Sequence, residues 1–186
     1  MSDRPEDQTY SVVDRWDTHG FYSLYNTGVF SDCKVVCGNN SIKGHICILA
    51  SACAYFEKAL CGNFKEASER TLDLSEDSWM TVNSLIKFAY GCPVSELFKE
   101  SSAGLIETVQ LYGLADRLGY SRLKASIIPH LKTASRSRVA DFKSLRDLLT
   151  ATEKVTSPVD SDMMSFIVAL VATNITVFRG AKLEDL

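Results

Sequence analysis

Hydrophobic residues recur along this chain at two spacings, one typical of helices and one typical of strands. Ile46, Leu49, Ala50 and Cys53 follow the i, i+3, i+4, i+7 pattern that places side chains on one face of a helix. Residues 70–74 alternate polar and apolar side chains, which indicates a half-buried strand. Comparable apolar stripes predict helices over residues 21–25, 46–62, 75–90, 111–118, 121–131, 141–153 and 160–178.

Two further strands are predicted on either side of a turn. Residues 32–37 and 41–45 flank a Gly-Asn-Asn group at 38–40, whose members tolerate the positive φ angles of a tight hairpin. Three short strands among many helices predict an α+β domain dominated by helices. Pro129 is expected to kink or shorten its helix, and a Ser/Arg-rich break is expected over residues 133–138.

The composition is that of an ordinary globular protein. Of the 186 residues, 46% are hydrophobic and 23% are charged, which excludes a fully disordered or collagen-like chain. The net charge of −3 argues against a protein that binds nucleic acid with its whole surface. The polar, acidic start lacks the basic and apolar stretches of a secretory signal. We therefore expect an intracellular protein whose six cysteines stay reduced.

One uncharged, mostly apolar stretch, residues 163–178, invites comparison with a membrane span. As a helix it would be about 24 Å long, shorter than the roughly 30 Å hydrocarbon layer of a bilayer. A buried helix is therefore favoured over a membrane contact, and no membrane span is predicted.

Sequence motifs that would indicate catalysis are missing. Neither a phosphate-binding glycine loop nor a Gly-x-Ser-x-Gly turn occurs. Cys37, His45, Cys47 and Cys53 could form a zinc set, but no Cys-x-x-Cys pair exists and buried thiols are the simpler alternative. His45 stands at a strand-to-helix junction, where we expect a structural histidine bonded to nearby backbone. We predict no enzyme activity and no catalytic, cofactor-binding or metal site.

The charge of the chain is uneven. Residues 117–146 contain eight basic residues and one acidic residue, Asp141, a local charge of +7. This segment could be a docking face for an acidic partner or nucleic acid. The alternative is a solvated helix face plus linker, because the bases are not interleaved with aromatic side chains.

An ordered set of short motifs runs through residues 28–131. The motifs are Phe30-Ser31-Asp32, His45, Ile48-Leu49-Ala50, Ala54-Tyr55-Phe56, Gly62-Asn63-Phe64-Lys65-Glu66, Leu72-Asp73-Leu74, Leu85-Ile86-Lys87-Phe88-Ala89-Tyr90 and Leu114-Ala115-Asp116-Arg117-Leu118 with Leu123. Together they resemble the BTB (POZ) domain, and the sequence around residues 24–30 is similar to that of short BTB proteins of filamentous fungi. The positions that match the family's structural motifs are Asp32, His45, Tyr55, Phe56, Phe64, Tyr90 and Asp116.

The resemblance implies a fold and a division of the chain. It implies a BTB/POZ fold, a small sheet capped by a cluster of helices, with extra helices at the C-terminal end. The expected division is a flexible leader at 1–19, the BTB domain at 20–133 and a helical extension at 134–186.

The resemblance also implies a non-catalytic protein–protein interaction module that forms a homodimer or heterodimer. The first alternative is a substrate adaptor for a cullin-type ubiquitin ligase. The second is a nuclear or chromatin-associated scaffold that uses residues 117–146, although nucleic acid is the less favoured partner.

Two groups of residues are candidates for partner contacts. In the family, the N-terminal region and the first core helices supply the dimer interface; the alternative is that the N-terminal aromatics, including Trp16, fold back onto their own domain. Cullin-binding relatives carry a hydrophobic-x-Glu motif, which residues 94–96 and 98–100 both match, so chance is a real alternative there. The dimer candidates are Phe21, Leu24, Tyr25, Phe30, Ile46 and Leu49, and the cullin candidates are Val94, Glu96, Phe98 and Glu100.

The sequence departs from the family pattern at two places. In dimeric BTB transcription factors the acid at the Asp32 position pairs with a basic residue directly after the histidine, which here is Ile46. An unpaired buried carboxylate is costly, so Asp32 is expected to be exposed, to cap backbone N–H groups, or to pair elsewhere. The segment between Tyr90 and Leu105 looks longer than in common adaptors.

Overall fold

The computed structural model describes residues 21–99, 101–138, 141–155 and 160–174. The strands in these ranges are β1 (Cys33–Cys37), β2 (Asn40–Gly44) and β3 (Thr71–Asp73). The helices are α1 (Tyr22–Thr27), α2 (Ile46–Ala52), α3 (Ala54–Cys61), α4 (Lys65–Glu69), α5 (Trp79–Ala89), α6 (Val94–Leu97), α7 (Ser102–Arg117), α8 (Ser121–Arg138), α9 (Phe142–Val155) and α10 (Ser161–Thr173). The leader predicted at 1–19 lies outside the described residues.

The three strands form one mixed sheet in the order β2-β1-β3. β1 pairs antiparallel with β2 and parallel with β3, so that Val35 lies opposite Ile42 on one side and Leu72 on the other. A two-residue turn joins β1 to β2, and its first residue, Gly38, has φ +56°, as such hairpins require. The predicted hairpin and the α+β fold class are confirmed.

Helices α5 and α7 form the centre of the helical cluster. Val82, Leu85 and Ile86 of α5 are fully buried, as are Leu105 and Val109 of α7. α7 packs against α5, α8 and α9, while α2 packs against α3 and α5. The apolar stripes of the sequence therefore meet in one continuous core.

The helices predicted over residues 46–62, 75–90 and 111–118 have different bounds in the structure. The last of these, α7, already begins at Ser102. The single helix expected over residues 46–62 is divided at Cys53, whose extended backbone (φ −156°, ψ 157°) separates α2 from α3. The helix expected from residue 75 begins only at Trp79, because Ser78 is its N-cap and accepts a hydrogen bond from the Thr81 N–H at 3.2 Å.

The break predicted over residues 133–138 is wrong, since α8 continues to Arg138. Pro129 lies inside this helix without shortening it. Its ring and Ala125, four residues earlier, are both exposed, so the carbonyl that loses its N–H partner can be hydrated. The expected division between residues 133 and 134 falls inside this continuous helix.

The last two helices pack onto α7 and α8. α9 buries Leu145 and Leu148, and α10 buries Met163, Phe166 and Leu170. Within the described ranges, none of the helices has the length and apolar character needed to cross a membrane. Residues 175–178, the end of the apolar stretch, lie outside the description.

Candidate protein-interaction surface

Helix α1 is fastened to its own domain by two tyrosines. The Tyr25 hydroxyl donates a hydrogen bond to Oδ1 of Asn83 on α5, and the Tyr25 ring meets the Tyr90 ring edge-on with centroids 5.8 Å apart. Tyr22 stacks on Tyr25 at 5.4 Å, and the Lys87 ammonium lies 5.8 Å above the Tyr25 ring. Tyr22 and Tyr25 therefore fold back onto their own domain, which is the alternative to a dimer contact given above for the N-terminal aromatics. Trp16 lies outside the described residues.

Other apolar side chains at the two ends of α1 remain exposed. Phe21 is 57% exposed, Val29 49% and Phe30 88%. We call these three residues the aromatic face. Exposed groups of large apolar side chains mark interaction sites more often than single scattered ones do.

The remaining dimer candidates are more buried. Leu24, Tyr25 and Ile46 are partly buried and pack against the core. Leu49 is 0% exposed, so its side chain belongs to the core of this chain and has no surface to offer a partner. We therefore remove Leu49 from the candidate interface.

The second feature is a hydrogen-bonded cluster, the His45 junction. In it the buried side chains of His45 and Tyr90 meet the backbone of Val29 and Ile46 and the exposed carboxylate of Asp32. The Tyr90 hydroxyl oxygen accepts the His45 backbone N–H at 2.9 Å, and it lies 2.7 Å from His45 Nδ1. His45 Nε2 lies 2.7 Å from the Val29 carbonyl oxygen.

A single tautomer satisfies every group of this junction. The Tyr90 O–H donates to Nδ1, and the Nε2–H of His45 donates to the Val29 carbonyl. Burial is the main cause that raises the pKa of Tyr90, so the hydroxyl keeps its proton. The structure thus shows His45 bonded to nearby backbone, at the Val29 carbonyl.

Asp32 completes the His45 junction from the other side. Its Oδ1 accepts the Ile46 N–H at 2.7 Å, which satisfies a free donor at the start of α2. Of the three placements expected for a carboxylate without a basic partner after the histidine, the structure shows two together, since Asp32 is exposed and also caps a backbone N–H group.

The predicted cullin-contact loop is divided by burial. Val94 is buried, Phe98 is partly buried and Glu96 is exposed on α6, while Glu100 lies outside the described residues. Glu96 and Phe98 line a surface cavity of about 500 Å³ together with Met80 of α5. Of the two hydrophobic motif positions, Val94 and Phe98, it is Phe98 that leaves apolar surface near the exposed side chain of Glu96.

Comparison with known proteins identifies the family to which this fold belongs. A family model described as the BTB/POZ domain matches residues 21–135, more than half of the chain. The chain belongs to the BTB/POZ family. The family is one of protein-interaction modules, and dimerisation is common in it.

The relatives found among curated proteins are viral. The chain is 36% identical over 70 residues to Kelch repeat and BTB domain-containing protein 1 of cowpox virus (strain GRI-90 / Grishak) and of vaccinia virus (strain Copenhagen), and 34% identical to that of ectromelia virus (strain Moscow). The match covers 38% of this chain and 12% of each relative. These relatives give no support to the resemblance to fungal proteins.

The remaining family-motif residues of this BTB domain do not join the His45 junction. Phe56 is fully buried and meets the Tyr55 ring edge-on at 5.7 Å. Phe64 is 60% exposed just before α4, and Asp116 pairs with Lys124 across α7 and α8. Tyr55 and Phe56 lie on α3, Phe64 precedes α4 and Asp116 lies on α7, whereas Asp32, His45 and Tyr90 come together.

A polar cluster that sequence reasoning missed ties α10 to the BTB domain. The Tyr112 hydroxyl donates to both carboxylate oxygens of Asp160, at 3.0 and 2.8 Å. Lys124 Nζ donates to Asp160 Oδ2 at 3.2 Å and lies 4.8 Å above the Tyr112 ring. Asp160 Oδ1 also accepts the Met163 N–H at 3.1 Å. We call Tyr112, Lys124 and Asp160 the α10 latch. The one sign of it in the sequence is Asp160, a residue type that commonly caps a helix, directly before an apolar run.

Several basic side chains of residues 117–146 are engaged in ion pairs on different helices. Arg117 pairs with Asp77, Lys124 with Asp116 and Asp160. Lys132 Nζ donates to the Ser165 hydroxyl at 3.0 Å. This arrangement favours the interpretation as a solvated helix face over a continuous basic docking surface.

The cysteines and histidines do not assemble into a reaction centre in the part of the chain that the structure describes. No three His, Cys, Asp or Glu side chains there are grouped to hold a metal ion. Cys37 Sγ instead donates to the Asp77 carbonyl at 3.3 Å. Burial raises the pKa of the Cys33 thiol to about 12, which keeps it protonated and unreactive.

Proposed function

We propose that this BTB domain acts as a non-catalytic interaction module inside the cell and that its first partner is a second copy of itself. The observation that carries the proposal is the aromatic face, in which Phe30 is 88% exposed and Phe21 and Val29 are each about half exposed. Large aromatic side chains are typical anchors at the centres of protein interfaces.

The charge pattern around the aromatic face supports self-association. Residues 20–31 contain no Asp, Glu, Lys or Arg, in a chain where 23% of residues are charged. A two-fold interface places the same patch of both copies face to face. Residues 20–31 therefore bring no like charges of their own into that arrangement.

Sedimentation equilibrium of the purified chain tests the proposal. The wild type is expected to reach twice the 20.6 kDa of one chain, because burial of the aromatic face stabilises the pair. A Phe21→Glu, Val29→Glu variant should remain at the mass of one chain, since each substitution would bury a charge in the contact. Phe64→Glu, which changes an exposed aromatic outside the face, should associate like the wild type. A monomeric wild type over the whole concentration range would refute self-association.

A second candidate, an adaptor for a cullin-type ubiquitin ligase, is favoured by the cavity beside α6. Exposed Met80 and partly buried Phe98 offer apolar surface next to the carboxylate of Glu96. The relatives named as Kelch repeat and BTB proteins combine a BTB domain with a further module, which is the organisation that an adaptor needs.

Capture of the chain by an immobilised cullin scaffold tests this second candidate. The wild type should be retained, and Met80→Asp and Glu96→Ala should each reduce the retained fraction at least tenfold, because they remove the apolar and the acidic part of the contact. Glu57→Ala, an exposed glutamate on α3, should bind like the wild type. Absence of wild-type capture would eliminate the adaptor function.

A further inference from the structure

Phe30 combines two features that a folded chain normally avoids. Its backbone lies in the left-handed region, with φ +62°, where a bulky side chain is unfavourable. The same side chain is 88% exposed, so packing within this chain does not compensate for the conformation. Strain of this kind persists where the surroundings enforce it and is concentrated at functional sites.

Two anchors hold the backbone on either side of Phe30. Before it, the Val29 carbonyl accepts the His45 Nε2–H at 2.7 Å. After it, Asp32 is bonded to the backbone of residues 44–46 through its N–H, at 3.0 Å, and through its carboxylate, at 2.7 Å. Both anchors thus lie where β2 leads into α2, and the chain between them must turn outward at Phe30.

We propose that Phe30 is the anchor of the self-association surface and that the His45–Tyr90 pair is a positioning unit that presents it to a second copy of the chain. This inference rests on the self-association proposed above. Tyr90 acts indirectly: its hydroxyl fixes the ring of His45, and His45 in turn holds the Val29 carbonyl.

The arrangement explains why the strain is tolerated. An interface side chain that is already held in its bound conformation loses little conformational entropy when the complex forms. The free chain carries the strain at Phe30, and burial of the ring against the second copy compensates for it. The uncharged stretch from residue 20 to residue 31 lets the two copies approach symmetrically at this point.

Substitutions at Phe30 separate the strain from the contact. Glycine adopts φ +62° freely, whereas alanine does not. We therefore expect Phe30→Gly to melt at a higher temperature than Phe30→Ala, although both weaken self-association at least tenfold by sedimentation equilibrium. Phe64→Ala is the matched control, because Phe64 is an exposed aromatic with an ordinary φ of −88°, and it should associate like the wild type.

A double-mutant cycle tests the positioning role of Tyr90. Tyr90→Phe should weaken self-association severalfold when Phe30 is present, because Phe30 is no longer held in place. Combined with Phe30→Gly it should cause no further weakening, a result that a general loss of stability would not produce.

The outcomes distinguish this inference from the proposed function. Undiminished association of Phe30→Gly overturns the anchor role and leaves self-association standing. Equal effects of Tyr90→Phe with and without Phe30 overturn the positioning role. A wild-type chain that stays monomeric overturns both the inference and the self-association on which it rests.

Discussion

Tyr90→Phe is expected to lower the free energy of unfolding by about 2 kcal/mol, although it removes one oxygen atom and leaves the ring in place. The Tyr90 hydroxyl satisfies both the backbone N–H and the Nδ1 atom of His45. Both groups are buried, and a buried polar group without a partner costs about 1–3 kcal/mol. In a domain of this size, the melting temperature should fall by about 4–8 °C.

The matched control for this prediction is Tyr120→Phe. Tyr120 is as deeply buried as Tyr90, and burial raises the pKa of its hydroxyl to about 12. Among the described residues, however, no hydrogen bond to this hydroxyl is present. Its removal should change the free energy of unfolding by less than about 0.5 kcal/mol. Thermal and urea unfolding of both variants provide the measurement, and equal losses would show that the His45 junction does not stabilise the fold through its hydrogen bonds.

The sequence predicts those elements of the fold whose conformation is determined by residues adjacent in the chain. The Gly38–Asn39 turn follows from residues that accept positive φ, and the strands on either side follow from alternation of polar and apolar side chains. The junction role of His45 was also accessible, because a histidine between a strand and a helix has free backbone groups close by.

Other features depend on contacts that no local pattern reports. Cys53 is neither glycine nor proline, yet it adopts an extended conformation between two helices, because packing of α2 and α3 against the core decides its backbone. The left-handed conformation of Phe30 requires anchors that lie about 15 residues away along the chain. The α10 latch joins Tyr112 to Asp160, 48 residues apart, and such a pair can only be found in three dimensions.

The second large effect is expected at the α10 latch, where Asp160→Ala should lower the free energy of unfolding by about 2–4 kcal/mol. The substitution removes the N-cap of α10 and leaves the buried Tyr112 hydroxyl without its acceptor. It also takes a carboxylate from Lys124. The loss should be concentrated in α10, so hydrogen exchange of residues 161–174 should accelerate more than that of α5 or α7.

The carboxylate of Asp160 is also expected to make the stability of the fold depend on pH. Burial alone would raise the pKa of Asp160, but hydrogen bonds from the Met163 N–H, Tyr112 and Lys124 outweigh it and hold the pKa below the ordinary value of 3.8. A carboxyl group with a lowered folded-state pKa stabilises the fold fully above its unfolded value and loses that contribution as the pH falls through the folded one. Wild-type stability should therefore decrease below about pH 4, and Asp160→Asn should show a flatter profile there.

Asp141 offers a matched control, because it caps α9 as Asp160 caps α10. Its Oδ1 accepts the Ser144 N–H at 2.7 Å, but it is exposed and has no counterpart of the Tyr112 contact among the described residues. Asp141→Ala therefore tests the loss of a helix cap without the loss of a latch. If both alanine variants lose the same free energy of unfolding, the loss of a helix cap alone explains the effect at Asp160. A larger loss for Asp160→Ala, confined to α10, would show that the contacts with Tyr112 and Lys124 hold this helix on the BTB domain.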